Sequence, residues 1–215
     1  MKKTSVPGVL RKGPMLYIKS EATPFNERLY KWQGELYRPW DPTRSKIAAG
    51  IMNGIQDFNL KKDSIILYLG ASHGYTVSFL SELVPKGLIF AVDLGEVVMR
   101  DLYLLAEDVT NIVPILESAN HTNNYAKSIC TPDIIIQDIA QKNQATIFLK
   151  NIKRFATTDT VCLFSVKCAS IDVTKKPKEV KDMVLQELKP FCKNVVCKTL
   201  SPWEKDHFLI QCQLK

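Results

Sequence analysis

Residues 65–76 read Ile65-Ile66-Leu67-Tyr68-Leu69-Gly70-Ala71-Ser72-His73-Gly74-Tyr75-Thr76. The five apolar residues at the start do not alternate with polar ones, which is typical of a strand buried on both faces of a parallel sheet. Gly70 and Gly74, four positions apart, let the backbone turn tightly and come close to a ligand. The helix that follows offers free N–H groups, which suit a carboxylate or a phosphate. This segment therefore predicts an α/β sheet with a ligand site at the carboxyl end of the strand.

Similar strands and helices alternate along the rest of the chain, which predicts a doubly wound, mostly parallel seven-stranded α/β sheet. The predicted strands are Ile65–Leu69, Leu88–Val92, Ile112–Leu116, Asp133–Asp138, Thr160–Lys167, Asn194–Leu200 and His207–Leu214. The predicted helices between them are Tyr75–Val84, Glu96–Glu107, Thr122–Ile129, Gln141–Phe155 and Pro177–Leu188. Only residues 201–206 separate the last two strands, so we expect a C-terminal antiparallel hairpin.

Two regions are expected, a small N-terminal β extension over residues 1–40 and a main domain over residues 41–215. The extension shows loose alternation of apolar residues, interrupted by glycine and proline. Asp41 is suited to cap a helix and Pro42 to occupy its first turn, and an apolar helical face follows from Ile47 to Ile55. The extension has no residues that suggest chemistry, so we expect it to contact a protein partner and not a cofactor.

The composition limits the class of protein. No apolar run approaches the roughly 20 residues that cross a bilayer, and the basic N-terminus has no apolar segment behind it, so we expect an intracellular protein without a membrane partner. The six cysteines form no CxxC pair, which favours reduced thiols over a metal site. The net charge of +7 suggests a polyanionic partner.

Asp93 extends the predicted ligand site to the next strand. It directly follows Leu88–Val92 and lies about 20 residues beyond the glycine turn, where an acidic side chain accepts hydrogen bonds from ribose hydroxyls. The third glycine of the dinucleotide fingerprint is absent. These features predict a ligand that contains adenosine, without choosing between a nicotinamide cofactor and S-adenosylmethionine.

Five segments, in the same order along the chain, resemble motifs of the fibrillarin family, and more closely those of its archaeal members. They are Tyr37–Ala49, Leu67–Thr76, Gln137–Gln141 with Gln144, Lys167–Lys175, and Glu204–His207. The resemblance implies a class I methyltransferase fold and transfer of a methyl group from S-adenosylmethionine to a ribose 2′-hydroxyl of rRNA, and possibly of tRNA. It also implies a box C/D guide RNA, a target RNA, a coiled-coil scaffold protein and a kink-turn-binding protein as partners. The location would be cytoplasmic in an archaeon and nucleolar in a eukaryote.

The glycine turn and the resemblance together give a set of candidate cofactor-binding residues, and no metal ligands. The set is Gly70, Ala71, Gly74, Tyr75, Thr76, Asp93, Leu94, Ser118, Ala119, Asp138, Ile139, Ala140 and Gln141. Three positions depart from the family pattern: Ser118 replaces an acidic residue that reads the adenine amino group, Tyr75 replaces threonine, and His73 replaces a small residue.

Four polar residues are the candidate catalytic set: Lys46, Asp138, Lys167 and His207. Methyl transfer requires the donor and the hydroxyl to be held in line, and the hydroxyl to lose a proton. We expect Lys167 to be the base or to polarise the hydroxyl, and Asp138 to orient it. Lys46 and His207 would support them through charge or by binding the target nucleotide.

Two alternatives remain open from the sequence. The first is a methyltransferase that acts on a protein glutamine or on a small molecule. The second is a structural subunit of the ribonucleoprotein with weak or no activity, which the departures at Ser118, Tyr75 and His73 motivate.

Overall fold

Two β-sheets organise the chain in the computed structural model, which describes residues 1–215. The first is antiparallel, with the order β1-β2-β3-β5-β4. Its strands are β1 (Lys2–Lys3), β2 (Val9–Lys12), β3 (Met15–Lys19), β4 (Tyr30–Trp32) and β5 (Glu35–Trp40). This sheet corresponds to the predicted β extension.

The second sheet has seven strands in the order β11-β12-β10-β9-β6-β7-β8. They are β6 (Ile65–Leu69), β7 (Leu88–Asp93), β8 (Ile112–Leu116), β9 (Ile134–Gln137), β10 (Val161–Lys167), β11 (Cys192–Thr199) and β12 (His207–Leu214). The strands from β10 to β8 pair in parallel, whereas β12 runs antiparallel to both β10 and β11. The predicted mixed sheet with a C-terminal antiparallel hairpin is confirmed.

Seven α-helices accompany the sheets. They are α1 (Lys46–Met52), α2 (Tyr75–Leu83), α3 (Glu96–Asp108), α4 (Thr122–Tyr125), α5 (Gln144–Phe155), α6 (Cys168–Ile171) and α7 (Pro177–Leu188). The segment predicted as one helix from Thr122 is a single α-helical turn followed by a 3₁₀ turn at Ala126–Ser128. No helix is long and apolar enough to cross a membrane.

The first helix begins later than the sequence predicts. The carboxylate of Asp41 accepts a hydrogen bond from the backbone N–H of Thr43 at 2.8 Å, which closes a turn instead of capping a helix. Ser45 caps α1, because its hydroxyl accepts from the N–H of Ala48 at 3.3 Å. The prediction of a helix starting after Asp41 was therefore wrong by one turn, and Lys46 becomes the first helical residue.

A continuous apolar core joins the small sheet to the large one. Leu16, Ile18 and Trp40 of the small sheet belong to the same buried cluster as Ile66 of β6. The Trp40 ring stacks on Phe79 of α2 with the ring centroids 5.0 Å apart. The division of the chain at residue 40 into two domains stays a prediction.

Candidate active site

The glycine turn after β6 is shaped by a close approach to the end of β9. Gly70 has φ +87°, and a Cβ atom there would collide with the backbone carbonyl oxygen of Asp138. Gly74 has φ +84° and would bring a Cβ atom within 2.7 Å of the Leu105 side chain on α3. Since other residues rarely adopt this φ, both positions require glycine.

The smaller of two adjoining cavities has a volume of about 240 Å³ and lies where β6, β7 and β9 end. Its lining residues are Gly70, Ser72, Val92, Asp93, Leu94, Ala119, Asp138, Ile139, Ala140 and Gln141. Eight of these ten belong to the predicted cofactor-binding set; Ser72 and Val92 are the additions. The lining combines apolar side chains with two acidic residues, Asp93 and Asp138. This combination fits an adenosine group, whose base is flat and whose ribose offers two hydroxyl donors.

The Asp93 carboxylate fixes the backbone on two sides of this cavity through hydrogen bonds. One carboxylate oxygen accepts from the N–H of Ser72 at 2.8 Å and the other from the N–H of Gly95 at 2.9 Å. Each oxygen of an ionised carboxylate can accept more than one hydrogen bond. Asp93 can therefore fix the glycine turn and bind ribose hydroxyls at the same time.

The larger cavity, about 760 Å³, shares Gly70, Ser72 and Asp138 with the smaller one. Lys46 and Tyr68 line it, together with the start of α2. Complete burial raises the pKa of the Tyr68 phenol far above its usual value, so this group is a neutral hydroxyl. The larger cavity therefore joins the predicted cofactor site to Lys46 and Asp138, whereas the predicted catalytic residues Lys167 and His207 line neither cavity.

Tyr75, at the start of α2, is held by residues outside its own helix. Its ring lies 5.3 Å from that of Phe25, and the Arg44 guanidinium lies 4.0 Å from the ring centroid. Its hydroxyl accepts from the backbone N–H of Asp41 at 3.3 Å. Phe25 and Pro24 also line the larger cavity, so the loop between β3 and β4 reaches the site, contrary to the expectation that the extension has no site residues.

Lys46 and Asp138 form the central ion pair of the site. The Lys46 ammonium lies 3.2 Å from the Asp138 carboxylate and 4.0 Å from that of Glu204. Glu204 also lies 3.9 Å from Nδ1 of His207. Both members of the central pair are about one-fifth exposed, which leaves them accessible from the larger cavity.

Lys167 ends β10 directly opposite His207 at the start of β12. Its backbone is fixed by the Gln144 amide, which accepts from the Lys167 N–H at 3.0 Å and donates to its carbonyl oxygen at 3.2 Å. No carboxylate lies within 4.0 Å of the Lys167 ammonium. In this structure Asp138 therefore pairs with Lys46, and not with Lys167 as the sequence analysis expects.

Ser118 and Gly74 are the two members of the predicted cofactor set that line neither cavity. The N–H of Ser118 donates to the carboxylate of Glu117 at 2.7 Å. Hydrogen bonds from Asn124 and from Ser118 lower the pKa of Glu117 and keep it ionised. The Glu117 carboxylate is thus occupied by hydrogen bonds from neighbouring residues. It does not take the place of the acidic residue that the family pattern has at position 118.

Several residues of the site were absent from the predicted sets. Glu204 and Gln144 lie inside motifs that carry the family resemblance, so the sequence contained a signal for both. The sequence contained no signal for Phe25, because the position of this residue depends on how the small sheet packs against α2. Among the departures, His73 lies at the rim of the larger cavity, where its Nδ1 is 2.6 Å from the Asp101 carboxylate.

Comparison with known proteins relates this site to a family. The family model named Fibrillarin matches residues 16–215. The fibrillarin-like rRNA/tRNA 2′-O-methyltransferase of Thermococcus sibiricus is 41% identical over 187 residues, covering 86% of this chain and 83% of the relative. The protein of the same name from Methanocaldococcus jannaschii is 38% identical over 186 residues, covering 86% and 81%.

Solved structures agree with these relatives. A fibrillarin/Nop5p complex contains a chain that is 34% identical, with a TM-score of 0.91 and coverage of 99% of this chain and 100% of that one. The fibrillarin of Aeropyrum pernix, solved with natively bound S-adenosyl-L-methionine, is 33% identical with a TM-score of 0.81, covering 92% and 88%. The family model and the relatives cover far more than half of the chain, and this chain therefore belongs to the fibrillarin family.

Proposed function

We propose that this protein is an S-adenosylmethionine-dependent RNA 2′-O-methyltransferase that acts on rRNA, and on tRNA where a guide directs it. The observation that carries the proposal is the Lys46–Asp138 ion pair at the boundary of two adjoining cavities, with Lys167 and His207 at the ends of the neighbouring strands. Relatives with this activity in their names and a related structure with bound S-adenosyl-L-methionine support it.

The smaller cavity would hold the adenosine part of S-adenosylmethionine. Asp93 would accept the ribose hydroxyls, and Leu94, Ala119 and Ile139 would contact the base. The free N–H groups at the start of α2 would bind the methionine carboxylate beside the larger cavity. When bound, the cofactor supplies a methyl group on a positively charged sulfur, which a hydroxyl oxygen can attack.

The larger cavity would admit the target ribose. The Lys46–Asp138 pair would fix the edge against which the ribose lies. The Lys167 ammonium, which has no carboxylate partner, would donate a hydrogen bond to the 2′-hydroxyl oxygen and favour loss of its proton.

His207 supplies a group that can accept this proton. Its Nδ1 lies 2.6 Å from the backbone carbonyl oxygen of Lys205. Because a carbonyl oxygen only accepts, Nδ1 carries a proton, and the lone pair of the neutral ring is on Nε2. His207 would take up the proton, and Glu204, 3.9 Å away, would stabilise the charged ring that results.

The partners proposed for the chain are those of a guide ribonucleoprotein. The fibrillarin/Nop5p complex supports a scaffold protein of that type. A box C/D guide RNA would select the target RNA by base pairing, and a kink-turn-binding protein would complete the particle. The archaeal relatives favour a cytoplasmic location.

The decisive experiment is methyl transfer by the chain assembled with a scaffold protein, a kink-turn-binding protein and a guide RNA. The substrate is a guide-matched RNA, and the control substrate has a 2′-deoxy nucleotide at the target position. We expect radiolabel from S-adenosylmethionine only in the RNA that has the 2′-hydroxyl. Equal labelling of both RNAs, or labelling of protein glutamine alone, would contradict the proposal.

The departure at Ser118 favours a second candidate, a structural subunit with weak activity. Calorimetric titration with S-adenosylmethionine separates the two. Saturable binding with one site per chain agrees with the enzyme, whereas absence of binding at millimolar ligand would favour the structural subunit.

A further inference from the structure

The outer face of the small sheet carries four aromatic rings. Alternate residues of its strands point inward, and Leu16, Ile18, Arg38 and Trp40 are completely buried there. The residues between them point outward, and the strand register places Tyr17 beside Pro39 and Tyr30 beside Tyr37. With Trp32, next along β4 on the same side, these rings form what we call the aromatic face: Tyr17, Tyr30, Trp32 and Tyr37.

The rings of the aromatic face contact one another but stay accessible. Tyr17 and Tyr30 have their ring centroids 5.5 Å apart with the planes at 51°, and Trp32 and Tyr37 are 5.8 Å apart at 62°. Each ring retains part of its surface in solvent. These tilted pairs leave ring faces free for a further flat group to stack on.

Unpaired positive charge lies along one edge of the aromatic face. Lys3 and Lys12 point to the same side as the rings, and the Lys12 ammonium lies 4.0 Å from the Tyr30 ring centroid. Lys2 and Arg11 pair with each other on the opposite side of the sheet, in register with the buried Leu16. The positive edge of the aromatic face therefore consists of Lys3 and Lys12.

The extension also holds most of the excess charge of the chain. Residues 1–40 contain eight lysines and arginines and three glutamates, which gives +5 of the total of +7. The aromatic face thus combines accessible rings with a positive edge. This combination is typical of surfaces that bind single-stranded nucleic acid, where bases stack on rings and phosphates bind cations.

We propose that the aromatic face binds a single-stranded segment of RNA, with bases stacked on Tyr17 and Trp32 and phosphates near Lys3 and Lys12. This surface is separate from the active site, on the side of the small sheet that faces away from α2. The inference rests on the proposed function for the class of its partner, since RNA is the substrate proposed there. It gives the extension an RNA contact in place of the protein contact expected from the sequence.

Fluorescence titration of the full chain with an unlabelled uridine dodecamer tests the inference. Trp32 lies on the aromatic face, Trp40 is completely buried, and Trp203 is partly exposed beside Glu204 in the loop between β11 and β12. The quenching that is present in the wild type and lost in Trp32→Phe therefore reports on Trp32. We expect this difference to be saturable. Uridine stacks without sequence-specific contacts, which makes it a suitable probe of the surface.

Four variants separate the effect of stacking from the effect of charge. Tyr17→Leu keeps apolar bulk but removes the ring, and should raise the Kd for the dodecamer about fivefold or more, whereas Tyr17→Phe should bind like the wild type. Lys12→Gln, on an exposed side chain, should weaken binding and reduce the slope of log K against log salt by about 1. Lys62→Gln is the matched control. Lys62 is an exposed residue just before β6, at the opposite end of this strand from the glycine turn.

Each outcome decides for or against the aromatic face. If Tyr17→Leu and Lys12→Gln bind the dodecamer as tightly as Lys62→Gln, the inference is overturned, even where the assembled particle methylates RNA. Lower affinity of Tyr17→Leu for the scaffold protein alone would make the surface a protein interface and overturn it too. Absence of methyl transfer by the wild type would instead count against the proposed function, and the quenching of Trp32 would still stand.

Discussion

At the scale of single residues, Lys167 is distinguished from Lys46 by its lack of a carboxylate partner. We expect Lys167→Ala to lower the turnover number by about 10²–10⁴, as for a lost acid–base group. Binding of S-adenosylmethionine should hardly change, because the side chain would face the acceptor. Single-turnover rates at saturating RNA on the assembled particle measure this effect.

A second variant and a control are needed to interpret the rate of Lys167→Ala. Asp138→Asn removes the charge that holds Lys46, so its effect should not simply add to that of Lys167→Ala if the residues act as one unit. Lys142→Ala changes an exposed lysine near the site that lines neither cavity and should leave the rate unaltered. A normal single-turnover rate for Lys167→Ala with a raised KM for RNA would make Lys167 a phosphate anchor.

Asp93 has two roles at the same carboxylate, so its removal should affect both affinity and local order. We expect Asp93→Ala to raise the Kd for S-adenosylmethionine by roughly tenfold or more, since a hydrogen bond to a charged group contributes about 1.5–3 kcal/mol. Calorimetry measures the Kd. Glu96→Gln is the matched control, because it removes an exposed acid three positions away that lines neither cavity. An unchanged Kd for Asp93→Ala would show that Asp93 is not the ribose ligand.

The sequence predicted the members of the site better than their contacts. Asp93 and Asp138 follow directly from strands whose apolar runs are unambiguous, so their placement at one sheet edge could be inferred. The pairing of Asp138 with Lys46 could not, since it depends on how α1 packs across the large sheet. Phe25 was missed for the same reason, because a loop residue reaches Tyr75 only once the two sheets are assembled.

At the scale of elements, the start of α1 decides where Lys46 lies. Ser45→Ala should lower the free energy of unfolding by about 0.5–2 kcal/mol through the lost cap. The buried Thr76 hydroxyl, which donates to Ser45 at 3.0 Å, would also lose its acceptor, adding a cost of about 1–3 kcal/mol. Urea unfolding measures the difference. Thr43→Ala is the control, because it removes a hydroxyl and a methyl group from an exposed turn and leaves the cap of α1 intact. An equal loss in both variants would contradict the assigned cap.

Strand boundaries were predicted more accurately than helix starts. Strands β6, β8 and β12 have the bounds that the sequence predicts, and no predicted strand boundary is off by more than two residues. In β6 an unbroken apolar run marks both ends, because the strand is buried on both faces. The starts of α1 and α5 were placed too early by one turn or less, because Asp41 and Gln141 are equally suited to turns. Whether such a residue caps a helix or closes a turn depends on the position of the neighbouring backbone, which the sequence does not reveal.

At the scale of the whole molecule, Arg38 joins the small sheet to α2, which packs against the large sheet. Its guanidinium is completely buried, donates to Glu27, Glu82 and Ser78, and lies 3.6 Å from the Phe79 ring centroid. Arg38→Ala should lower the free energy of unfolding by about 3–5 kcal/mol, since it leaves two carboxylates without their partner. Arg38→Lys should rescue little, because an ammonium cannot serve several acceptors in this planar arrangement.

Urea unfolding followed by both tryptophan fluorescence and circular dichroism measures this loss. The control is Lys19→Ala, which breaks an exposed ion pair with Glu35 and should cost about 0–1 kcal/mol. If Arg38→Ala is as stable as Lys19→Ala, the buried network does not hold the sheets together.

The junction between the sheets also sets the order in which the protein can fold on the ribosome. The N-terminal strands leave the exit tunnel first, but Glu82, which binds Arg38, is synthesised 44 residues after it. Until α2 has left the tunnel, Trp40 has no Phe79 ring to stack on, and the inner side of the small sheet remains exposed to solvent. The N-terminal strands are synthesised early but can pack only after α2 has been synthesised. During that interval their apolar side chains are exposed and can bind chaperones.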